Sequence, residues 1–216
     1  MLKVWGRKTS SNVQAVMWCI GELGLEYQRI DAGHRFGVVD TDEYAILNPN
    51  RTVPTLEDGD HPPLWESGAI LRYLANTRAE GAFWPADPWQ RADVDRWAEW
   101  SKINFAMRFS VPVFWAVVRT APAKRDLHAV AGAMAELARY TTIAENRLRD
   151  HDFLAGNDFT LADIQFGHLL YRYFDIEIER PDLPALAAYY QRLTERETYQ
   201  EHVMVSYEDL RVLDPA

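Results

Sequence analysis

The chain has 216 residues, 48% hydrophobic and 25% charged, which is enough for one large domain or two small ones with proper cores. Its formal net charge of -9 argues against nucleic acid or an anionic membrane as a general partner. No apolar run is long enough to span a bilayer and the N-terminus lacks a signal-peptide core, so we expect a cytoplasmic protein.

The first thirty residues predict a βαβ unit. Leu2–Trp5 alternates as a strand does, residues 13–23 carry apolar side chains at helical spacing, and residues 26–30 read as a second strand. The polar turn between the first strand and the helix lies at the carboxyl end of the strand, where ligands bind in open α/β sheets. The only cysteine, Cys19, excludes an internal disulfide and is expected to be a small buried residue of the helix.

A proline marks the next strand. Pro54 has no N–H and is best placed at a strand's first residue or edge, which leaves the backbone of Val53 free. An ordinary edge-strand proline explains these two residues. If the Val53-Pro54 bond is cis, the backbone can instead pair with an extended, peptide-like ligand. One helix is expected before this strand, at residues 41–47, and Asp58-Gly59 predicts a hairpin turn after it.

A polar pair, Glu66-Ser67, precedes the next apolar helical series. Ser67 is either a simple helix cap or a first-turn residue beside N–H groups that attract a carboxylate. The order βαβ, α, ββα is that of a thioredoxin-like domain. We therefore predict an α+β domain over residues 1–78.

Helical periodicity dominates the rest of the chain. Residues 79–89 are predicted to be a linker, and residues 90–216 a second, all-α domain. Pro112 is expected to interrupt or end a helix. Thr160 and Asp163 predict a capping box, with Phe159 and Ile164 placed as a hydrophobic staple. The histidines are dispersed, and no His, Cys or carboxylate spacing suggests a metal site.

Two stretches, residues 47–59 and 64–74, resemble the glutathione-site signature of soluble glutathione S-transferases. With the downstream capping-box segment, the resemblance covers nearly the whole chain. It implies that Val53 pairs its backbone with the cysteinyl part of glutathione before a cis Pro54. It also implies that Glu66 and Ser67 hold the γ-glutamyl amino and carboxylate groups.

Residues 10–16 resemble the serine-type, theta-like and bacterial members of this family, whose serine lies four residues before an Arg, Lys or Gln. Counting back from Gln14 gives Ser10. A thiol with a pKa of about 8.5 reacts as the thiolate, and a hydroxyl at a helix N-terminus can stabilise that thiolate as a hydrogen-bond donor. Ser11 and Thr9 are rival donors, and a simple N-cap is the alternative for the serine pair.

The sequence departs from the family pattern at the glycyl end of glutathione. Arg51 stands where glycine is common, and Thr52 stands where a longer donor often binds the glycyl carboxylate. Arg35 or Arg51 is a candidate for the missing cation, and both are equally well explained as solvated surface arginines.

The resemblance implies a homodimeric transferase that attacks an apolar electrophile with glutathione as co-substrate, without a metal or tightly bound cofactor. Aromatic residues at helical spacing are mostly core. Five residues are nevertheless candidates for the electrophile pocket: Phe105, Met107, Phe109, Trp115 and Tyr171. Two alternatives remain: another glutathione-dependent enzyme (isomerase, dehalogenase, ether-cleaving enzyme or disulfide reductase), or a non-catalytic module that binds a protein.

Overall fold

A four-stranded mixed sheet forms the first part of the protein. The structure is a computed structural model that describes residues 1–213, so the last three residues of the predicted second domain lie outside it. The strands are β1 (Leu2–Trp5), β2 (Tyr27–Ile30), β3 (Thr55–Asp58) and β4 (Leu64–Trp65), in the order β2-β1-β3-β4. Strand β1 runs parallel to β2 and antiparallel to β3, because a helix links β1 to β2 while β3 and β4 form a hairpin.

Three helices complete this part: α1 (Ser11–Glu22), α2 (Asp42–Leu47) and α3 (Ser67–Arg78). Helix α2 begins after Thr41, whose side chain accepts a hydrogen bond from the Tyr44 N–H at 3.2 Å. The predicted order βαβ, α, ββα is confirmed, and with it the thioredoxin-like domain. Cys19 is fully buried, and burial raises the pKa of its thiol.

The second part is all-helical and opens with α4 (Pro88–Trp100). The helical run continues through two π-helical segments, Ser101–Ala106 and Ser110–Trp115, and the short helices α5 (Met107–Phe109) and α6 (Ala116–Val118). Pro112 lies inside the second π-helical segment, so it interrupts the α-helix, as predicted, without ending the helical run. The wider π turn accommodates a residue that cannot donate the α-helical hydrogen bond.

Five further helices follow: α7 (Leu127–Leu148), α8 (Leu161–Gly167), α9 (Leu170–Asp175), α10 (Pro184–Thr194) and α11 (Glu197–His202). The capping box at the start of α8 is confirmed, because Thr160 Oγ1 accepts from Ala162 N at 3.2 Å and Asp163 Oδ2 accepts from Thr160 N at 2.8 Å. Asp163 also accepts from Leu154 N and the Tyr189 hydroxyl. Burial raises the pKa of this carboxyl to about 6.

Helix α1 packs directly against the all-helical part. The ring of Trp18 lies 4.7 Å from that of Tyr199, edge to face, in one continuous hydrophobic core. Gly167 permits this approach, since a Cβ there would lie 2.6 Å from Leu193 Cδ1 and 2.9 Å from the Trp18 ring. The position of α1 is therefore set by both parts of the chain.

Among residues 1–213 no helix is long and apolar enough to cross a membrane. Within the same residues, no group of three or more His, Cys, Asp or Glu side chains is arranged to hold a metal ion.

The buried His168 makes stability depend on pH. Its Nδ1 lies 3.1 Å from the Ile164 carbonyl oxygen, and burial lowers its pKa from 6.5 to about 4. The unfolded chain therefore binds the proton more tightly, and this contribution to stability is lost as pH falls from 6.5 towards 4. We expect a loss of about 2 kcal/mol between about pH 8 and about pH 5 that is absent in His168→Asn.

Urea unfolding of both proteins at the two pH values measures this difference. Asp163 titrates in the opposite direction, since its raised pKa favours the folded state at low pH, but it does so equally in both proteins. The same pH dependence in wild type and His168→Asn would contradict the assignment.

Candidate functional site

Ser10 is the residue from which α1 begins. Its carbonyl accepts the first helical hydrogen bond, from Gln14 N at 2.9 Å, and its backbone is extended. Its side chain makes no capping hydrogen bond. The hydroxyl is therefore not used by the helix, and it lies beside unpaired first-turn N–H groups that carry partial positive charge.

Two buried side chains hold the turn that leads to Ser10. Gln14, on α1, donates from Nε2 to the Lys8 carbonyl at 3.0 Å. Arg172, on α9, donates from Nη2 to the Thr9 carbonyl at 2.8 Å and to Gln14 Oε1 at 3.3 Å. Both carbonyls that precede Ser10 are thus fixed by the protein interior, which gives Gln14 its structural role.

The backbone of the same turn lies against Val53. A Cβ on Gly6 would lie 2.4 Å from Val13 Cγ2 and 3.2 Å from Val53 Cβ, so a side chain at this position would force the two segments apart. Gly6 also donates from its backbone N to the Ile30 carbonyl at 2.8 Å, which fixes its position at the end of the sheet. The close approach of the Ser10 turn to Val53 therefore requires glycine.

The Val53-Pro54 peptide bond is cis, and β3 begins at the next residue. The Thr52 carbonyl accepts hydrogen bonds from the Tyr44 hydroxyl at 2.7 Å and from Asn48 Nδ2 at 2.9 Å. Both donors come from α2 or the residue that follows it, so they fix the Thr52 backbone directly before Val53. The Val53 side chain is half-buried.

Glu66 and Ser67 form the start of α3. Glu66 is exposed and has φ 68, a conformation that costs a non-glycine residue about 1–3 kcal/mol and often accompanies ligand sites. Lys102 Nζ lies 3.2 Å from Glu66 Oε2. Ser67 is buried, and its hydroxyl donates to Asn12 Oδ1 at 3.5 Å. The starts of α1 and α3 therefore lie side by side.

A cleft of about 350 Å³ opens where the start of α1 faces the helical run after α4. Thr9, Ser10, Ser11 and Asn12 line one side, Ala106, Met107, Val111 and Trp115 form an apolar wall, and Arg7, Lys102, Arg119 and Arg172 contribute cations. Three larger cavities, of about 560, 670 and 540 Å³, contain none of the predicted site residues. The smaller cleft is the candidate site because the predicted thiol donor lies in it.

Comparison with known proteins agrees with this geometry. The family model "Glutathione S-transferase, N-terminal domain" matches residues 1–76, and "Glutathione S-transferase, C-terminal domain" matches residues 106–197. Glutathione S-transferase GstB of Escherichia coli K12 is 32% identical over 206 residues, 95% of this chain and 99% of that protein. The chain belongs to the glutathione S-transferase family.

Solved structures of the family are similar over nearly the whole chain. The theta-class glutathione S-transferase of the citrus canker pathogen Xanthomonas axonopodis pv. citri, with glutathione bound, has a TM-score of 0.90 and 43% identity. The match covers 95% of this chain and 98% of that one. The same transferase in its apo form has a TM-score of 0.82 at 39% identity, with 95% of this chain and 97% of that one covered.

Neither arginine predicted for the glycyl end of glutathione lines the cleft of this transferase. Arg51 donates to the Thr41 carbonyl at 3.0 Å and pairs with Asp42 at 2.9 Å, so it braces the start of α2. Arg35 is exposed and pairs with Asp209 at 2.8 Å. The Thr52 side chain is exposed. A role for Arg35, Arg51 or Thr52 at the glycyl carboxylate stays a prediction.

The residues predicted for the electrophile pocket separate into two groups. Met107 and Trp115 line the cleft. Phe105 and Phe109 do not, because both are fully buried and their rings stack 5.7 Å apart in the core. Tyr171 is half-buried with its ring 6.2 Å from that of Tyr207, and it does not line the cleft either.

Helix geometry explains this correction. In the run after α4, residues four apart share a face, so 105, 109 and 113 face the core while 107, 111, 115 and 119 face the cleft. The prediction chose residues by side-chain type, so it included residues from the core face as well as from the cleft face of the run. The spacing of four residues distinguishes the two faces, and applying it from Met107 would have added Val111 and Arg119 to the predicted cleft residues.

Sequence reasoning also missed Asn12, Lys102 and Arg172. Lys102 shares a face with Ala106, four residues on, and that spacing was a usable signal. Arg172 had none, since the Thr9 carbonyl that it binds is 163 residues away in the chain.

Gln14→Met tests the support of the Ser10 turn. The substitution keeps most of the volume but removes the donor to the Lys8 carbonyl and the acceptor for Arg172. We expect a loss of about 1–3 kcal/mol in the free energy of unfolding, since buried polar groups are left unpaired. Urea denaturation measures it.

Gln191→Met, at an exposed position of α10, is the matched control and should change stability little. Equal stabilities of the two variants would show that the Lys8 carbonyl does not depend on Gln14.

Proposed function

We propose that this transferase binds glutathione with its thiol at Ser10 and transfers it to a small electrophile bound against the apolar wall of the cleft. The observation that carries the proposal is the Ser10 hydroxyl. It is free of capping, stands at the N-terminus of a twelve-residue helix and faces the cleft.

The tripeptide would lie along the edge formed by Val53, Glu66 and Ser67. The cis bond after Val53 supports pairing of its backbone with the cysteinyl unit. The start of α3 offers unpaired N–H groups for the γ-glutamyl carboxylate, with the Ser67 hydroxyl beside them. The exposed Glu66 carboxylate suits the γ-glutamyl amino group, and Lys102 would then share or release that carboxylate.

The chemical role of Ser10 is to stabilise charge on sulfur. Lowering the thiol pKa by one unit requires about 1.4 kcal/mol of preferential interaction with the thiolate. A charge-assisted hydrogen bond from the hydroxyl, together with the helix dipole, supplies interactions of this size. Ser11 is the second candidate donor because it also lines the cleft, and Thr9 is the third.

The acceptor would place its apolar body on Met107, Val111 and Trp115, close to the thiolate. Trp115 is 43% exposed and Met107 67%, so both retain apolar surface for a ligand. The thiolate sulfur forms a bond to the electrophilic carbon, and a leaving group departs with the electron pair of the bond that breaks. Because binding holds both reactants in one cleft, the reaction becomes effectively unimolecular.

Ser10→Ala tests the thiolate role. We expect the pKa of bound glutathione, followed by ultraviolet absorbance, to rise by about one unit, because one charge-assisted donor is lost. At pH values below the pKa of glutathione bound to the wild-type protein, activity towards a chlorodinitrobenzene should fall about tenfold, because the thiolate fraction limits the rate there. Calorimetry should show glutathione still bound, since the tripeptide's other contacts remain.

Ser11→Ala is the matched control, one residue further along the same helix. A pKa shift in Ser11→Ala but not in Ser10→Ala would move the role to Ser11. Absence of glutathione binding to the wild-type protein would sink the enzyme proposal and favour a protein-binding module.

We also propose that the protein is a homodimer. Trp65, on the edge strand β4, is 37% exposed, and Ile103 is 47% exposed beside the Lys102 that pairs with Glu66. Apolar surface at the rim of a site suits a subunit interface. Location in the cytoplasm stays a prediction.

Sedimentation equilibrium tests the dimer. We expect twice the chain mass of 24.9 kDa, and a shift towards the monomer in Ile103→Glu, because the new carboxylate would be buried without a partner. Ile46→Glu, at a position of α2 that is 82% exposed, is the control and should stay dimeric. A wild-type mass equal to one chain would contradict the proposal.

A further inference from the structure

The cleft holds a cluster of arginines without carboxylates. Arg7, Arg119 and Arg172 all line it, although Asp and Glu outnumber Lys and Arg by 32 to 23 in the whole chain. Among residues 1–213, none of these three arginines takes part in an ion pair, whereas nearby Arg35 does. The lining of the cleft is therefore cationic, although the chain as a whole is acidic.

These arginines repel one another. The pKa of Arg7 is lowered by burial and then by Arg119, and that of Arg172 is lowered to about 10 by burial and then by Arg7. The pKa of His34 is also lowered, by burial and then by Arg7 and Arg119. Since guanidinium groups stay protonated at neutral pH, the cluster keeps its positive charge.

The cluster also has unused hydrogen-bond donors. The Nε atoms of Arg7 and Arg172 are buried and have no hydrogen-bond partner, and Arg172 as a whole is 4% exposed. Arg119 makes no side-chain hydrogen bond within the described part of the chain, and its guanidinium carbon lies 4.7 Å from the centre of the Trp115 ring. Buried donors without partners are rare in native proteins, and their presence in a cleft points to a ligand.

These donors indicate which chemical group the cleft would bind. Guanidinium groups bind carboxylates through paired, charge-assisted hydrogen bonds. Trp115 and Val111 line the same cleft and offer apolar surface, and Ser10 lies across from them. We infer that the acceptor substrate is a small electrophile that carries a carboxylate, bound by Arg7 and Arg119, with its apolar body on Trp115. The inference rests on the proposed transferase function and adds the substrate class.

Arg172 has a different role in this arrangement. One of its terminal nitrogens is used by the Thr9 carbonyl, and its guanidinium stacks 4.6 Å from the Phe114 ring. It is therefore a positioning residue that also adds positive charge behind the carboxylate site.

A matched pair of probes tests the substrate class: 4-chloro-3-nitrobenzoate and the neutral 4-chloro-3-nitrobenzamide. In both, the glutathione thiolate forms a C–S bond at the chlorine-bearing carbon, and the C–Cl bond breaks with its electron pair leaving on chloride. Each kcat/KM is divided by the uncatalysed rate constant at the same pH, which removes the difference in intrinsic reactivity. We expect the corrected value to be roughly 10- to 100-fold higher for the benzoate, the range of a charge-assisted pair.

Arg119→Met should lose most of this preference, with a roughly 10-fold or greater fall for the benzoate and less than about twofold for the benzamide. Arg139→Met is the matched control, since Arg139 also stacks on an aromatic ring, that of Tyr140, but lies away from the cleft on α7. Arg119→Lys should keep part of the preference because it retains the charge.

Three results would overturn the inference. Equal corrected values for the two probes in the wild type would show that the acceptor site does not recognise a carboxylate. Equal losses for both probes in Arg119→Met, with a raised thiol pKa, would assign the cluster to the thiolate. A raised KM for glutathione without any change in probe preference would assign it to the glycyl carboxylate.

Calorimetry with the unreactive 4-nitrobenzoate and 4-nitrobenzamide separates this inference from the proposed function and needs no variant. If glutathione does not bind, the proposed function fails. Tighter binding of 4-nitrobenzoate alone would still support an anion site in the cleft, and equal binding of the two compounds would remove it.

Discussion

The hydrogen bond from Arg172 to the Thr9 carbonyl is the interaction on which the rest of the site depends. It links α9 to the turn after β1. Arg172 also donates to Gln14, which in turn donates to the Lys8 carbonyl of the same turn. Because both side chains are buried, the turn cannot move without leaving polar groups unpaired in the interior. The backbone of Ser10, the proposed donor to the glutathione thiolate, is thereby held in place by two buried side chains.

The other end of α1 is held in the same way. Glu22 accepts hydrogen bonds from Trp18 Nε1 and Arg196 Nε, each at 2.8 Å. Although burial alone would raise its pKa, bonds from Arg196, Thr198 and Trp18 bring the pKa of Glu22 below its usual value. Helix α1 is therefore tied to the all-helical part at both ends and packed against it along its length. Residues of both parts meet in the cleft because α1, which begins at the cleft, packs against the all-helical part.

Charge is distributed unevenly over the molecule. The chain carries a net charge of -9, yet the cleft beside Ser10 is lined by Arg7, Lys102, Arg119 and Arg172. A positive cleft on a negative protein favours anions at the site while the remaining surface repels them. Glutathione and its thiolate are themselves anionic, so the same field favours both the co-substrate and the reactive form of its sulfur.

The family resemblance implied the cis Val53-Pro54 bond, and the sequence by itself determined the βαβ, α, ββα order, the start of α1 near the Ser10-Ser11 pair and the capping box at Thr160. Each depends on neighbours within a few residues, where turn chemistry and helix capping act. Only the tertiary structure decided which face of the helical run after α4 packs into the core, that Arg51 braces α2, and that arginines at positions 7, 119 and 172 meet in one cleft. Arg7 is more than a hundred positions from Arg119 and Arg172 in the chain, and these residues meet only when packing brings the helices together, which no local pattern encodes.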